Sequence, residues 1–177
     1  MLMMKMYRTQ GKWIYLFSYK SQEHGTGRLE YIQQLCFSYD VVLIQEHWFL
    51  AEEMSVFEQQ INNVSCHGVS AMDSRHFISG RPFGGCAILW KSNLLCKVKP
   101  VISESKRICA VELSGSAIDI LICSVYMPCD STNPQEFDDT LNDFFFFKTI
   151  FIHRSWIGEQ AKAYRPPLHK STNINIY

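Results

Sequence analysis

The chain has 177 residues, 47% hydrophobic and 14% aromatic, which excludes a disordered composition and suits one domain of ordinary size. Lysine plus arginine equals aspartate plus glutamate at 17 each, so net charge gives no case for non-specific nucleic-acid binding, and only a local basic cleft is left open. No segment approaches the roughly 18 unbroken apolar residues of a membrane span.

Lys12 to Tyr19 (KWIYLFSY) is aromatic and β-rich and predicts a first strand. His24, Gly25, Thr26 and Gly27 make a turn. Arg28 to Tyr39 then places Leu29, Ile32, Leu35 and Cys36 at helical spacing. Val41 to Ile44 is a continuous apolar run, the mark of a strand buried on both faces. Strand, helix, strand in this order predicts a parallel pair joined by a right-handed crossover.

Glu52 to Ile61 suits a short helix, Arg81 to Gly85 a turn-rich loop, and Cys86 to Trp90 a strand. Arg107 to Leu113 and Ala117 to Tyr126 flank the tight turn Ser114-Gly115-Ser116 and predict an antiparallel hairpin, which Pro128 stops. Asn133-Pro134-Gln135-Glu136 has the cap, the first-turn proline and the capping-box glutamate of a helix start, with the helix running through Leu141. After Asp143 come four phenylalanines and then a polar stretch with Pro166-Pro167. That stretch reads as a poorly ordered tail.

Seven cysteines occur, an odd number, with no CxxC pair. Most lie in apolar runs, where cysteine acts as a small hydrophobe. The Met-rich start carries Lys5 and Arg8 with no continuous apolar core behind them, so no secretory signal is expected. These features predict a reduced, intracellular protein.

Three features carry chemistry. The strand Val41 to Ile44 ends at Gln45-Glu46, and in α/β folds ligands collect beyond the carboxyl ends of strands. Magnesium is held by one or two carboxylates, with water and phosphate in the remaining positions, so Glu46 is a candidate ligand. Gln45 suits a supporting position beside it. On spacing alone, a glutamate facing water is the simpler account. Tyr126 ends the hairpin strand before Pro128, where a phenol can reach a phosphate oxygen or simply pack at the rim. Gly84-Gly85 lets backbone amides approach a ligand, and a tight turn or bulge explains the glycines equally well.

Together and in this order, DVVLIQEHWF, SGRPFGGCAILW, SKRICAVEL and ICSVYMPCDS resemble the endonuclease/exonuclease/phosphatase superfamily. Within it, they resemble the endonuclease domain of non-LTR (LINE-type) retrotransposons. The resemblance covers roughly Trp13 to Asp143. It implies a partial four-layer α/β sandwich over residues 12–143, with the second half missing and an unrelated tail over 144–177. It implies magnesium-dependent phosphodiester hydrolysis that nicks DNA, with Glu46 as the Mg²⁺ ligand and Tyr126 as the catalytic residue at the scissile phosphate. Gln45, Lys20 and Arg107 are then supporting or substrate-adjacent residues, and Trp48 packs the following loop. His47 receives no role.

Two departures from the pattern stand out. Lys20, in Ser18-Tyr19-Lys20-Ser21, stands where the family has an asparagine. A charged lysine neither accepts a hydrogen bond nor binds a metal, so it competes with the metal or pairs with Glu46. The Gly-Asp-x-Asn and Ser-Asp-His motifs that supply the family's general-base machinery are absent. The leading expectation is therefore an inactive fragment of a retrotransposon endonuclease. Its sheet face would be left uncovered and open to self-association. The alternatives are an active nuclease or phosphatase with a reduced site, and a binding module using Lys20, Arg28, Arg81 and Arg107. Glu46 and Tyr126 are expected to face one cleft, with Lys20 near both.

Overall fold

The computed structural model describes residues 3–9, 12–20, 26–72, 84–115, 119–128 and 134–146. Strand β3 (Val41–Gln45) is apolar on both faces, so its sheet needs cover on both sides. It lies at the centre of a five-stranded sheet of order β1-β2-β3-β5-β4. Its partners are β1 (Met3–Thr9), β2 (Lys12–Lys20), β4 (Val64–Val69) and β5 (Cys86–Lys91). β2 and β3 are parallel, and helix α1 (Thr26–Ser38) falls between them in the chain, as the sequence order predicts. The other pairs are antiparallel.

The second sheet has order β6-β7-β8. It contains β6 (Lys97–Val101) and the expected hairpin of β7 (Ile108–Ser114) and β8 (Ile120–Val125). A 3-10 turn (Ala51–Glu53), the short helix α2 (Val56–Gln60) and helix α3 over 134–146 complete the described elements. The chain is thus a mixed α/β fold with two sheets and three α-helices among the described residues.

Strand alternation sorts the core into three layers. Leu16, Val41, Leu43 and Ile88 point inward, toward Cys109, Val111, Leu113 and Ile122 of the second sheet. Phe17, Val42, Ile44, Ala87 and Leu89 point the other way, onto Ile32 and Leu35 of α1 and Phe57 of α2. On the far side of the small sheet, Ile108, Ala110, Leu121, Cys123 and Val125 pack with Phe144 of α3.

This packing corrects one expectation. Among the described side chains, the inner face of β2, β3 and β5 is covered: Leu16, Val41, Leu43 and Ile88 are all 2% exposed or less. Three strands suffice because the inward residues of β7 and β8 interdigitate with them. Nor does α3 stop at Leu141. It continues to 146, where Phe144 adds a second buried position one turn after Thr140. Arg81 and the chain from 147 onward lie outside the described residues.

Cys36, Cys66, Cys86, Cys96, Cys109 and Cys123 are free thiols. Burial pushes Cys36, Cys86 and Cys123 up to about 12, in keeping with small core hydrophobes. Burial also holds His67 below its ordinary 6.5, against an opposing hydrogen bond with the Val101 backbone. Below about pH 6.5 the unfolded chain therefore binds more protons at this site than the folded one. The stability it contributes is complete above that pH and is lost as the pH falls. Thermal melts from pH 7 to pH 5 are expected to show a fall in Tm that His67→Gln reduces. An identical fall in both proteins would contradict this.

Candidate active site at the carboxyl end of strand β3

β2 and β3 run in the same direction with Lys20 in register with Gln45, so their carboxyl ends share one edge. Gln45 is also in register with Cys86 of β5, which leaves Glu46 as the first residue beyond the regular ladder. β8 reaches the same edge from the second sheet. The Ser124 hydroxyl donates to the Ile44 carbonyl at 3.4 Å, so Tyr126 emerges close to Glu46. Three strand ends from two sheets thus deliver Lys20, Glu46 and Tyr126 to one place.

The geometry there is specific. Lys20 Nζ lies 3.4 Å from Glu46 Oε1 and 5.9 Å from the centre of the Tyr126 ring. The Tyr126 hydroxyl hydrogen-bonds the Glu46 carboxylate. Arg107 places its guanidinium 5.2 Å from the same ring centre. Two cations within ~6 Å of one aromatic ring make favourable cation–π contacts. Arg107 is held in turn by Glu136 of α3: Nε donates to Oε1 at 2.9 Å, and Nη2 donates to the same oxygen. The Tyr126 amide donates to the Arg107 carbonyl at 2.9 Å. Glu46, Tyr126, Arg107 and Glu136 therefore form one continuous polar chain from β3 to α3.

Partial burial raises the Tyr126 phenol to about 12, with the hydrogen bond to Glu46 and its negative charge adding to the shift and Arg107 opposing it. The residue is therefore a neutral hydrogen-bond donor at physiological pH. Its contribution to stability is complete below about pH 10 and is lost as pH rises toward 12.

The backbone at this edge is unusual. Glu46 (φ 58°) and Trp48 (φ 60°) are left-handed, and so are the facing Gly84 (φ 66°) and Gly85 (φ 86°). Left-handed backbone costs an L-residue about 1–2 kcal/mol. The two segments are tied across the sheet, with Glu46 N–H donating to Gly85 O at 2.8 Å and Trp48 N–H to Gly84 O at 3.1 Å. The glycines predicted as a close-approach loop serve that purpose against the chain itself. An added Cβ at Gly84 would lie 2.7 Å from Ala71 Cβ.

The residues present do not fit a resident magnesium ion. Magnesium can be held by one carboxylate with water and phosphate in the other positions, but here that carboxylate does not stand alone. The single carboxylate, Glu46, is only 15% exposed and already faces the Lys20 ammonium. A divalent cation entering there would meet that positive charge at close range.

Of the residues singled out in the sequence, Lys20, Glu46, Tyr126 and Arg107 come together, with Gln45 beside them in the ladder. Two contributors were not foreseen. Glu136, read only as part of a capping box, anchors Arg107. His47, given no role, is fully buried directly behind Glu46. Neither has a local sequence signal, since the partners lie 29 residues apart for Glu136 and Arg107 and 22 apart for His47 and Val69.

No family model matches the chain, and no curated protein matches it. Among solved structures the chain is similar to the endonuclease domain of TRAS1, a telomere-specific non-LTR retrotransposon, at 14% identity and a TM-score of 0.46. The match covers 70% of this chain and 52% of that one, so the chain spans about half the length of the structure it matches.

Proposed function

We propose that the chain is a fragment of a non-LTR retrotransposon endonuclease domain whose DNA-nicking site no longer works. The ordered motifs around Glu46, Gly84-Gly85 and Tyr126 support the family reading. The observation that carries the loss of activity is the pairing of Glu46 with Lys20 at 3.4 Å, beside the Tyr126 phenol. In the parent site the carboxylate would hold Mg²⁺ and the phenol would contact the scissile phosphate of DNA. In this chain the carboxylate neutralises an internal ammonium instead. Tyr126 still offers a proton to an acceptor, and Arg107 stays pinned to Glu136. No group in the polar chain is a free general base: Glu46 is engaged by a cation and a phenol, and Glu136 by Arg107. General acid–base groups typically contribute ~10²–10⁴-fold to a rate, and the motifs that supply them in the family are missing.

Supercoiled plasmid incubated with the purified full chain and Mg²⁺ is expected to remain supercoiled, as it does with Glu46→Ala. Conversion to open circles by the wild type, abolished by Glu46→Ala, would mean that the site is complete.

A further inference from the structure

We infer that His47 is the positioning residue for Glu46: its buried ring clamps the left-handed segment 46–48 and so aims the Glu46 carboxylate at Lys20 and Tyr126. The inference rests on reading Glu46 as the centre of the site.

His47 has no exposed surface. Nε2 lies 3.0 Å from the Val69 carbonyl at the end of β4, and Nδ1 lies 3.0 Å from the Phe49 amide. A carbonyl only accepts and an amide N–H only donates, so the ring carries its proton on Nε2 and accepts at Nδ1. One imidazole therefore joins the segment two residues downstream to the neighbouring β4 strand. The ring stacks on Phe49 at 5.9 Å between centres and meets the edge of Phe57 at 6.4 Å.

The opposite side is just as constrained. A Cβ at Gly85 would fall 2.4 Å from His47 Cε1 and 2.5 Å from Nε2. Gly85 is the residue whose carbonyl receives the Glu46 amide. The ring thus fills the space that a side chain would take at Gly85, and that absence lets the two backbones meet. Left-handed geometry persists at non-glycine positions only where the surroundings over-determine it. Here His47 supplies the surroundings for both Glu46 and Trp48, one on each side of it. Without the clamp, Glu46 is free to relax to extended backbone, which swings its side chain away from the cleft.

The test is residue-resolved amide hydrogen exchange by NMR on the full chain, for wild type, His47→Ala and His47→Phe. His47→Phe keeps an aromatic ring in the core and removes both hydrogen bonds. The expected result is at least about tenfold faster exchange at Glu46, Trp48 and Phe49 in both variants, with Val42 and Leu43 keeping their protection. Nuclear Overhauser contacts between the Glu46 side chain and the Tyr126 ring are expected to weaken in both. Added imidazole is expected to restore them in His47→Ala. Unchanged protection at Glu46 and Trp48 in His47→Phe would overturn the inference by showing that the ring only fills space. Loss of protection across the whole sheet would overturn it equally, since His47 would then be a general core residue. The exchange readout needs neither metal nor DNA. Glu46-dependent nicking would defeat the functional reading while leaving this result untouched.

Discussion

Gly85→Ala is expected to destabilise the chain by about 2–5 kcal/mol, the sum of two separate penalties. An L-residue at φ 86° carries a left-handed penalty of about 1–2 kcal/mol. The new methyl would also overlap the His47 ring, with three ring atoms at 3.0 Å or closer. That ring is hydrogen-bonded on both nitrogens and cannot swing aside, so the overlap adds the roughly 1–3 kcal/mol typical of overpacking. Domains of this size are stable by only about 5–15 kcal/mol, so the loss is a large fraction of the total. Urea unfolding reads it as a lower midpoint at unchanged slope. A change below about 0.5 kcal/mol, the range of ordinary surface substitutions, would show that the 46–48 segment moves easily and that the clamp is weak.

Phe57→Ala is expected to cost about 3–5 kcal/mol. Phe57 is fully buried, although its helix has only five residues. So short a helix has no stability of its own and is held by its packing. The ring lies edge-on to Phe49 at 5.2 Å and to His47 at 6.4 Å. Truncation would empty a space beneath the loop that carries Glu46, as well as removing contacts with the larger sheet. Phe37, 88% exposed on α1, provides the comparison. Phe37→Ala is expected to change stability by no more than about 0.5 kcal/mol. Similar losses from the two variants would contradict the assignment of Phe57 to the core.

The parts of the fold legible in the sequence are those whose apolar pattern is strong. Val41–Ile44 is apolar throughout, α1 keeps helical spacing, and β7 and β8 are two apolar β-rich runs separated by a segment that contains Gly115, so all are readable locally. β4 is not, because the alternation of Val64-Ser65-Cys66-His67 lasts only four residues before Gly68 and Val69 break it. Gly68 is closely packed, with Ala87 Cβ and the Cys86 carbonyl oxygen each 3.2 Å from where a Cβ would stand. β6 is an edge strand with exposed Lys97, Lys99 and Pro100, residues that protect edges and depress the strand signal. The phenylalanine run hides the helical period of α3. Phe144 is buried, while Phe145 and Phe146 are 50% and 69% exposed. Identical residues with opposite fates leave no pattern to read.

The site was legible to the extent that strand ends carry it. Glu46 and Tyr126 follow strands whose direction is predictable, so their convergence is a matter of topology. Lys20 follows from β2 being parallel to β3. The support behind them is not topological. The tie from Glu136 to Arg107 depends on α3 folding back over the small sheet. The role of His47 depends on backbone angles at Glu46, Trp48 and Gly85 that no residue type announces except the glycine.

Where Lys20 and Tyr126 satisfy the Glu46 charge within the chain, a divalent cation has no carboxylate left to hold it. Titration of the full chain with Mn²⁺ as a magnesium substitute, read by the electron paramagnetic resonance of the free ion, tests it most directly. The wild type is expected to show no saturable site and a trace indistinguishable from that of Glu46→Gln. One saturable site in the wild type that Glu46→Gln removes would contradict it.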